Sequence, residues 1–184
     1  MNDYFHALKE VVLSINSSLD PREVLHKVTE KTAAAMGCKA CTIRLLDPSG
    51  HFLIPSAAYG LSPEYMRKGP VEVRRSGMDS EVISGRCIHL KDAAADGRFQ
   101  YPEAAKAEGL VSVLSAPLMS AQGQAIGLIR VYSSVEREFS DKEVTFMEAV
   151  AAVAAIAIEN SRLHEALRSN YELMAQHQYS LYDD

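Results

Sequence analysis

Two apolar segments joined by a short polar turn constrain the fold of this 184-residue chain more than any other feature. They cover residues 110–118 and 125–132, and the turn between them contains Gln122-Gly123-Gln124. A glycine in a short polar junction between apolar runs predicts an antiparallel β-hairpin. Because side chains alternate along a strand, the second segment presents two different faces. One face carries Ile126, Leu128, Arg130 and Tyr132, and the other carries Ala125, Gly127, Ile129 and Val131.

A charged and aromatic loop and a short helix come directly before this hairpin. The loop covers residues 92–101 and contains Asp92, Asp96, Arg98, Phe99 and Tyr101. A polar lip above an apolar sheet is a common way to build a small-ligand pocket. The sequence therefore predicts a site that can hold a molecule without transforming it.

A second hairpin is predicted earlier in the chain, over residues 41–47 and 51–59. Its turn, Asp47-Pro48-Ser49-Gly50, consists of strong turn-forming residues. Alternation places Arg44 on the face opposite Cys41, so one face of this hairpin also carries a charge.

Small, loop-linked elements are predicted between the two hairpins. Ser62 and Ser76 are each positioned to cap a short helix, and residues 87–90 form a short strand. Such pieces often form the walls of a pocket.

Helices are predicted at both ends of the chain. Near the start, apolar residues recur at helical spacing, namely Leu8, Val12, Ile15 and Leu19. Asp20 then caps a second helix. Near the end, Ser140 and Glu143 form a capping box for a helix without proline or glycine. From Asp141 to about His177 it would be ~55 Å long, so its far end extends beyond a domain of this size.

That last helix carries a repeat of three- and four-residue spacings. The positions are Val153, Ile156, Asn160, Leu163, Leu167, Asn170, Met174 and His177. This is a heptad pattern in which Asn160 occupies an a-type position, a placement that fixes register in two-stranded coiled coils. We expect a homodimer through Leu8, Val12, Ile15, Val153, Ile156, Asn160, Leu163 and Leu167. The alternative is a helix whose second half stays unpacked.

Composition excludes several classes of protein. A net charge of -5 lacks the basic excess that nucleic-acid binding requires. The N-terminus is unlike a signal peptide, and no apolar run approaches the roughly 18–20 residues of a membrane span, so we expect a cytoplasmic protein without membrane contact.

Cys38 and Cys41 form a C-x-x-C motif with three readings: half a zinc site, a redox pair, or small residues packing between a helix and a strand. A zinc site requires two further ligands, and no second Cys or His pair supplies them. We therefore expect no metal, and we expect Cys38, Cys41 and Cys87 to be structural.

In the order of its elements the chain resembles the GAF domain, a small-molecule-sensing relative of the PAS fold. The matching segments are ACTIRLLDPSG at 40–50, AAYGLSPEYMRKGPV at 57–71, SGMDSEVISGRCIHLKDAAADGRFQY at 76–101, EGLVSVLSAPLMSAQGQAIGLIRVYS at 108–133 and FSDKEVTFMEAVAAVAAIAIEN at 139–160. The resemblance covers roughly residues 5 to 165.

The resemblance implies an α/β fold of the α+β kind: a central, mostly antiparallel sheet of five to six strands, with terminal helices on one face and short helices and loops walling a pocket on the other. It implies one domain over 1–165, with N-terminal helices at 3–36, sheet and pocket at 40–133 and the start of the last helix at 140–165. Residues 166–184 are a helical extension and tail. Family members often regulate kinases, phosphodiesterases, cyclases and transcription activators.

Three subfamilies can be compared with these residues. Cyclic-nucleotide binders carry an Asn-Lys…Phe-x3-Asp-Glu signature, of which only Phe139 and Glu143 occur here. Bilin carriers use a Cys-His pair, whereas Cys87 and His89 are separated by Ile88. The methionine-R-sulfoxide reductase of this family has a reactive cysteine in the loop that corresponds to 92–101, and this loop has none. We therefore expect no enzyme, and the cofactor stays unknown.

We expect Arg44 and Arg130 to face the pocket together and to favour a carboxylate or phosphate, because guanidinium groups present paired donors to oxyanions. The alternative is that Asp92, Asp96 or Glu81 neutralises both arginines and closes the pocket. The remaining candidates for ligand binding are Tyr59, Tyr65, His89, Asp92, Asp96, Arg98, Phe99, Tyr101, Ser112, Leu114 and Tyr132. For His89 the alternative is a structural role, as a hydrogen-bonded residue of the core.

The sequence thus favours a signal-transduction sensor that binds a small molecule, with an anion as one candidate, and relays binding through dimerising terminal helices. An output kinase, cyclase or transcription regulator is the expected partner. The alternatives are a dimerisation module without a ligand and a reductase-like enzyme.

Overall fold

The computed structural model describes residues 3–18 and 20–180, with side chains through Met174. Leu19 and the side chain of His177, which the helical patterns included, lie outside the described residues. The helices are α1 (Tyr4–Ile15), α2 (Pro21–Ala35), α3 (Pro63–Met66), α4 (Gly77–Ile83), α5 (Pro102–Glu108) and α6 (Asp141–Ser180). The strands are β1 (Ala40–Leu46), β2 (Phe52–Tyr59), β3 (Val71–Glu72), β4 (Ile88–Leu90), β5 (Ser112–Met119) and β6 (Ala125–Ser133).

The strands form one six-stranded sheet in the order β3-β2-β1-β6-β5-β4, and every pairing is antiparallel. The prediction of a central antiparallel sheet of five to six strands is confirmed, as are both hairpins. In the β5–β6 hairpin Ser115 pairs with Arg130. Strand β3 was not predicted, because two residues are too few to show alternation.

Gly127 lets β1 and β6 approach each other closely. A Cβ added to Gly127 would lie 2.2 Å from the carbonyl oxygen of Arg44, a distance that real Cβ atoms do not show. The two central strands, which carry Arg44 and Arg130, are therefore held in register at a position where only glycine fits.

Helices α2 and α6 cover one face of the sheet, and α1 packs against these two helices, so that together they enclose the larger core. Cys41, Ile43, Ile129 and Val131 face this layer from β1 and β6. From α6 the buried residues recur at helical spacing: Phe146, Met147, Val150, Ala151, Ala154, Ala155 and Ile158. Alternation predicted this face correctly for both central strands, because a strand covered on one side by helices buries every second residue there.

Helix α6 begins as predicted. The Glu143 carboxylate accepts hydrogen bonds from the Ser140 backbone N–H at 2.8 Å and the Ser140 hydroxyl at 2.9 Å. It is also paired with Arg137. Although burial opposes its charge, these contacts lower the pKa of Glu143 below its ordinary value.

The second half of α6 leaves the domain. The helix has 40 residues, which corresponds to about 60 Å, and residues 162–174 are all exposed. By length and composition alone, Asp141–Met174 is apolar enough to cross a membrane, even though no continuous apolar run of that length occurs. Its apolar residues up to Ile158 are instead largely buried against the sheet, as in the core helix of a globular domain.

Candidate functional site

The opposite face of the sheet is covered by α3, α4, α5 and the loop over residues 92–101. Its apolar layer consists of two clusters. The first contains Ala40, Tyr65, Met78, Leu90, Ala93, Phe99, Ala105, Leu110, Val113 and Tyr132, and the second Leu53, Val71, Val73, Val82 and Leu128. Within this layer lies a group of polar side chains, all buried except the partly buried Lys68, which we call the polar cluster: Thr42, Arg44, Tyr65, Lys68, Ser76, Asp79, Ser115, Arg130 and Tyr132.

Arg130 is fully engaged inside the polar cluster. Its guanidinium donates to the Asp79 carboxylate and to the Ser115 hydroxyl, and it lies 5.6 Å from the centre of the Phe99 ring. Both members of the Arg130–Asp79 ion pair are buried. Burial opposes the charge on Arg130, but the adjacent Asp79 carboxylate raises the pKa of Arg130 above its ordinary value.

Asp79 is in turn held by the start of α4. Its backbone N–H donates to the Ser76 hydroxyl, and that hydroxyl donates back to the Asp79 carboxylate at 2.5 Å. The carboxylate thus reaches Arg130 from a helix end whose geometry is set by its own cap.

Arg44 is buried without a counter-charge. It is 1% exposed, and its Nη1 donates to the carbonyl oxygen of Leu53 at 3.4 Å. Its Nη2 finds no hydrogen-bond partner, and no carboxylate forms an ion pair with it, among the residues that the structure describes. A buried guanidinium with free N–H groups costs free energy until an acceptor satisfies it.

Two tyrosines of the polar cluster contact each other. The rings of Tyr65 and Tyr132 are 6.3 Å apart in an edge-to-face arrangement, and the Tyr132 hydroxyl lies 3.4 Å from the Thr42 hydroxyl. Within the described part of the chain the buried hydroxyl of Tyr65 makes no hydrogen bond of standard geometry, although the Tyr132 side chain is close enough to act on it. Burial raises the pKa of Tyr65, so this hydroxyl remains a neutral donor.

Lys68 is the third cation of the polar cluster and is only partly buried. Its Nζ lies 3.3 Å from the centre of the Tyr65 ring and 5.2 Å from that of Tyr101. Burial, reinforced by the charges of Arg44 and Arg130, lowers the pKa of Lys68 to about 6.

The loop over residues 92–101 forms a lip that is fastened to α4. Arg98 is paired with Asp96 at 2.8 Å and with Glu81 of α4 at 3.1 Å, and these carboxylates raise the pKa of Arg98. Asp92 accepts backbone hydrogen bonds within its own turn, from residues 94 and 95. Tyr101 donates to the carbonyl oxygen of Pro70 at 3.1 Å.

The structure therefore divides the sequence candidates into three groups. Arg44, Tyr65, Phe99, Arg130 and Tyr132 come together in or against the polar cluster. Asp92, Asp96, Arg98 and Tyr101 lie on the lip. The three carboxylates that could have neutralised Arg44 and Arg130 have other partners. Asp96 and Glu81 bind Arg98, and Asp92 accepts from the backbone of its own turn.

Four candidates lie away from the polar cluster. Tyr59 lies beside α2, with its ring 6.5 Å from that of His26. His89 Nε2 lies 3.2 Å from the carbonyl oxygen of Arg137, and its ring contacts Phe139. Ser112 donates to the carbonyl oxygen of Lys91, and Leu114 faces the helical core. These four contacts fix the ends and the helix-side face of the strands.

Sequence reasoning missed five members of the polar cluster: Thr42, Lys68, Ser76, Asp79 and Ser115. Ser115 had a signal, because hairpin register and alternation place it opposite Arg130. Asp79 lies in the short helix that Ser76 was predicted to cap, which gives no sign of a site. Nothing in the local sequence marks Lys68, whose position depends on how the turn after α3 packs onto the sheet.

The three cysteines belong to the other side of the sheet. Cys38, Cys41 and Cys87 pack with the helical core, and burial raises the pKa of Cys38 to about 11 and that of Cys87 to about 12. Thiols with raised pKa values hold little of the thiolate that redox and nucleophilic chemistry needs. Within the described ranges, no group of three or more His, Cys, Asp and Glu side chains is arranged to hold a metal ion.

Two open grooves lie outside the polar cluster. The larger, about 670 Å³, runs between α1 and α6 and is lined by residues that include Tyr4, Leu8 and Phe146. The smaller, about 420 Å³, lies below the lip, between Asp92 and Lys106. We place the candidate site at the polar cluster, because unsatisfied buried donors indicate a ligand more directly than an open groove does.

The antiparallel sheet, with terminal helices on one face and short helices on the other, is a mixed α/β fold of the GAF-like class. The family model for the GAF domain matches residues 20–158, and the chain belongs to the GAF domain family. GAF domains are known as sensor and regulatory modules of signalling proteins. No curated protein matches this sequence.

Solved structures agree with this assignment. The GAF domain of a phosphoenolpyruvate-protein phosphotransferase from Acinetobacter is 23% identical with a TM-score of 0.74, over 89% of this chain and 96% of that one. Residues 122 to 287 of a methyl-accepting chemotaxis protein are 24% identical with a TM-score of 0.70, over 85% and 99%. A free methionine-R-sulfoxide reductase from Neisseria meningitidis is 17% identical with a TM-score of 0.72, over 88% and 91%. At these identities the likeness shows the fold alone.

Proposed function

We propose that this chain is a regulatory sensor module that binds a small anion at the polar cluster and relays the binding through α6. The observation that carries the proposal is Arg44, a buried guanidinium with free donors and no counter-charge among the described residues. We assign Arg130 to the structural framework of the site rather than to ligand contact, since its charge is already paired with Asp79 and its Nε donates to Ser115.

The charge of the cluster supports an anion rather than a neutral ligand. Arg130 and Asp79 cancel each other, which leaves the charge of Arg44 uncompensated in a layer built of apolar and aromatic side chains. An uncompensated buried charge is costly, and an oxyanion that accepts from Arg44 removes this cost. Removing this cost would make the free energy of anion binding more favourable.

A dimerisation module without a ligand is the second candidate function. The feature that favours it is the exposed stripe of Ile156, Leu163, Leu167 and Met174 on α6, because apolar residues repeated at three- and four-residue spacing need a partner surface. The two functions are compatible, and we propose a homodimer in which α1 and α6 of both copies take part.

A reductase-like activity is the weakest candidate, and we propose no enzymatic function. The neighbour from Neisseria meningitidis provides the precedent for one. Here, however, all three cysteines face the helical core and not the polar cluster.

The remaining assignments follow from the proposed role. We propose one GAF unit over residues 1–165 and a helical extension over 166–184, with the extension leading toward an output kinase, cyclase or transcription regulator. We also propose a cytoplasmic location without nucleic-acid or membrane contact.

A thermal-shift experiment with Arg44→Met tests the binding proposal. In the wild-type chain, sodium acetate or sodium sulfate at constant ionic strength should raise Tm, and in Arg44→Met neither should. Without an added anion, Arg44→Met should unfold at a higher temperature than the wild type, because the variant no longer buries an unsatisfied charge, a cost of about 1–3 kcal/mol. If Arg44 only stabilised the fold, Arg44→Met should instead unfold at a lower temperature than the wild type.

Arg22→Met is the matched control, since it removes an exposed guanidinium from α2, on the opposite face of the sheet. Its response to both anions should equal that of the wild type. If no anion raises the Tm of the wild-type chain and Arg44→Met does not raise it either, the sensor proposal is wrong.

A further inference from the structure

We propose that Lys68 is the proton-accepting member of an oxyanion site completed by Arg44 Nη2 and the Tyr65 hydroxyl, so that the chain takes up its anion together with a proton. This inference rests on the proposed function, and it names the contacts of the ligand and a form of regulation. Arg44 and Tyr65 are buried and hold unsatisfied donors, and Lys68 lies against Tyr65.

The three donors belong to two parts of the fold. Arg44 lies on β1, whereas Tyr65 and Lys68 come from α3 and the turn that follows it. The ring of Tyr65 contacts both Tyr132 on the sheet and the Nζ of Lys68, and the charge of Arg44 acts on both Tyr65 and Lys68. An ammonium, a guanidinium and a phenol together satisfy the several lone pairs of one carboxylate, sulfate or phosphate group.

No acidic residue near Lys68 is free to neutralise it. Arg44 faces it from β1 and Arg130 from β6, and both are cations. Asp79 of α4 is committed to Arg130. Glu108 of α5 accepts from the backbone N–H and the hydroxyl of Ser62, at 2.7 and 2.6 Å. The remaining neighbours are the rings of Tyr65 and Tyr101, whose faces attract an ammonium but supply no counter-charge.

The empty site therefore disfavours the charged form of Lys68. Its pKa is lowered to about 6, by burial first and then by the two arginines, so at pH 7.5 the amine is mostly neutral. A bound oxyanion supplies the missing negative charge and raises this pKa. Binding is then accompanied by uptake of about one proton, and affinity is highest below pH 6. As the pH rises from 6 toward the pKa of Lys68 in the complex, affinity falls by up to about tenfold per pH unit.

Two probes separate the sources of the oxyanion. Acetate represents a carboxylate and sulfate represents a tetrahedral oxyanion, and neither changes its own charge between pH 6 and 9. Any proton taken up on binding is therefore bound by the protein and not by the probe. Stabilisation by acetate alone assigns the site to carboxylates, and stabilisation by sulfate alone assigns it to phosphate-like groups.

The test is isothermal titration of the full chain with each probe, in two buffers of different ionisation enthalpy and at several values between pH 6 and 9. The wild type should take up about one proton per bound anion at pH 7.5. Lys68→Met should bind more weakly and take up none. Lys68→Arg should bind without proton uptake and with little dependence on pH, because its charge is permanent. Lys106→Met, which changes an exposed lysine of α5, should behave like the wild type.

The outcomes distinguish this inference from the proposed function. Binding without proton uptake in the wild type, or proton uptake that persists in Lys68→Met, overturns the role of Lys68 and leaves the sensor proposal intact. Failure of both probes to bind the wild type overturns the anion site itself, and the inference falls with it.

Discussion

At the scale of single residues, Arg44 and Arg130 are both buried arginines on neighbouring strands, yet their surroundings give them different roles. Arg130 has a carboxylate and a hydroxyl as acceptors, so its charge is paired. Arg44 has only one carbonyl oxygen, at 3.4 Å. A paired buried charge holds its partners in place, so Arg130 is structural. An unpaired buried charge raises the free energy of the empty site, so we propose Arg44 as the residue that a ligand contacts.

Breaking the Arg130–Asp79 pair tests that distinction. Asp79→Asn removes the counter-charge of a buried guanidinium and should lower the free energy of unfolding by about 3–5 kcal/mol. Urea denaturation followed by circular dichroism measures the change. Asp96→Asn is the matched control, because it weakens an ion pair on the exposed lip and should cost no more than about 1 kcal/mol. Equal losses in the two variants would contradict the assignment of Arg130 to the structural framework.

At the scale of elements, α6 joins two environments within one helix. Its first half is rich in alanine and buries a stripe against β5 and β6, whereas its second half exposes apolar residues to solvent. Leu163 is 64% exposed and Leu167 is 58% exposed. An isolated helix gains little stability in water without a packed face, so this half is expected to be stabilised by a second copy.

Charged substitutions in the exposed stripe test the dimer. Leu163→Glu combined with Leu167→Glu should convert a dimer into a monomer, because four like charges would meet along the predicted seam. Size-exclusion chromatography with light scattering on the full chain measures the mass. Arg162→Glu combined with Glu165→Lys changes charges at the c and f positions of the same heptad and should leave the mass of the dimer unchanged. A wild-type chain that is monomeric at micromolar concentration would rule out this seam.

At the scale of the whole molecule, β6 connects the polar cluster with α6. Its residues alternate, so Arg130 and Tyr132 contact the cluster while Ile129 and Val131 contact the helical core. We therefore propose that ligand binding at the polar cluster is relayed through β6 to the side chains on the opposite face of this strand. A relay of this kind requires that the anion bind differently to two packings of α6.

Hydrogen exchange measured by mass spectrometry tests the relay. Saturating acetate or sulfate, whichever binds, should change the exchange rates of backbone amides in residues 153–174. This segment of α6 is about 32 Å long. Arg44→Met should show no change with the same anion. Identical exchange rates in the free and anion-bound wild-type chain would show that anion binding does not change the packing of α6.

The sequence predicted the architecture because the features that specify it are local. Turn residues, capping residues and two-residue alternation identified the two hairpins, the start of α6 and the faces of Arg44 and Arg130. Alternation placed Arg44 on the face opposite Cys41, and the resemblance to the GAF domain indicated which of the two faces meets the helices. Strand β3 escaped prediction, because a two-residue strand exists only through its pairing with β2.

The candidate site was only partly predictable, because its chemistry depends on pairings between distant segments. Arg130 and Asp79 are 51 positions apart in sequence, and nothing local indicates that α4 delivers its carboxylate to β6. The same holds for Lys68, whose low pKa arises from burial and from cations on two other elements.

By itself, the sequence determined which residues form strands and helices and which faces they present, since these depend on steric preferences within a few residues. The tertiary structure alone decided which of the two arginines has a counter-charge, because electrostatic energy in a buried layer depends on distances between segments that the fold brings together.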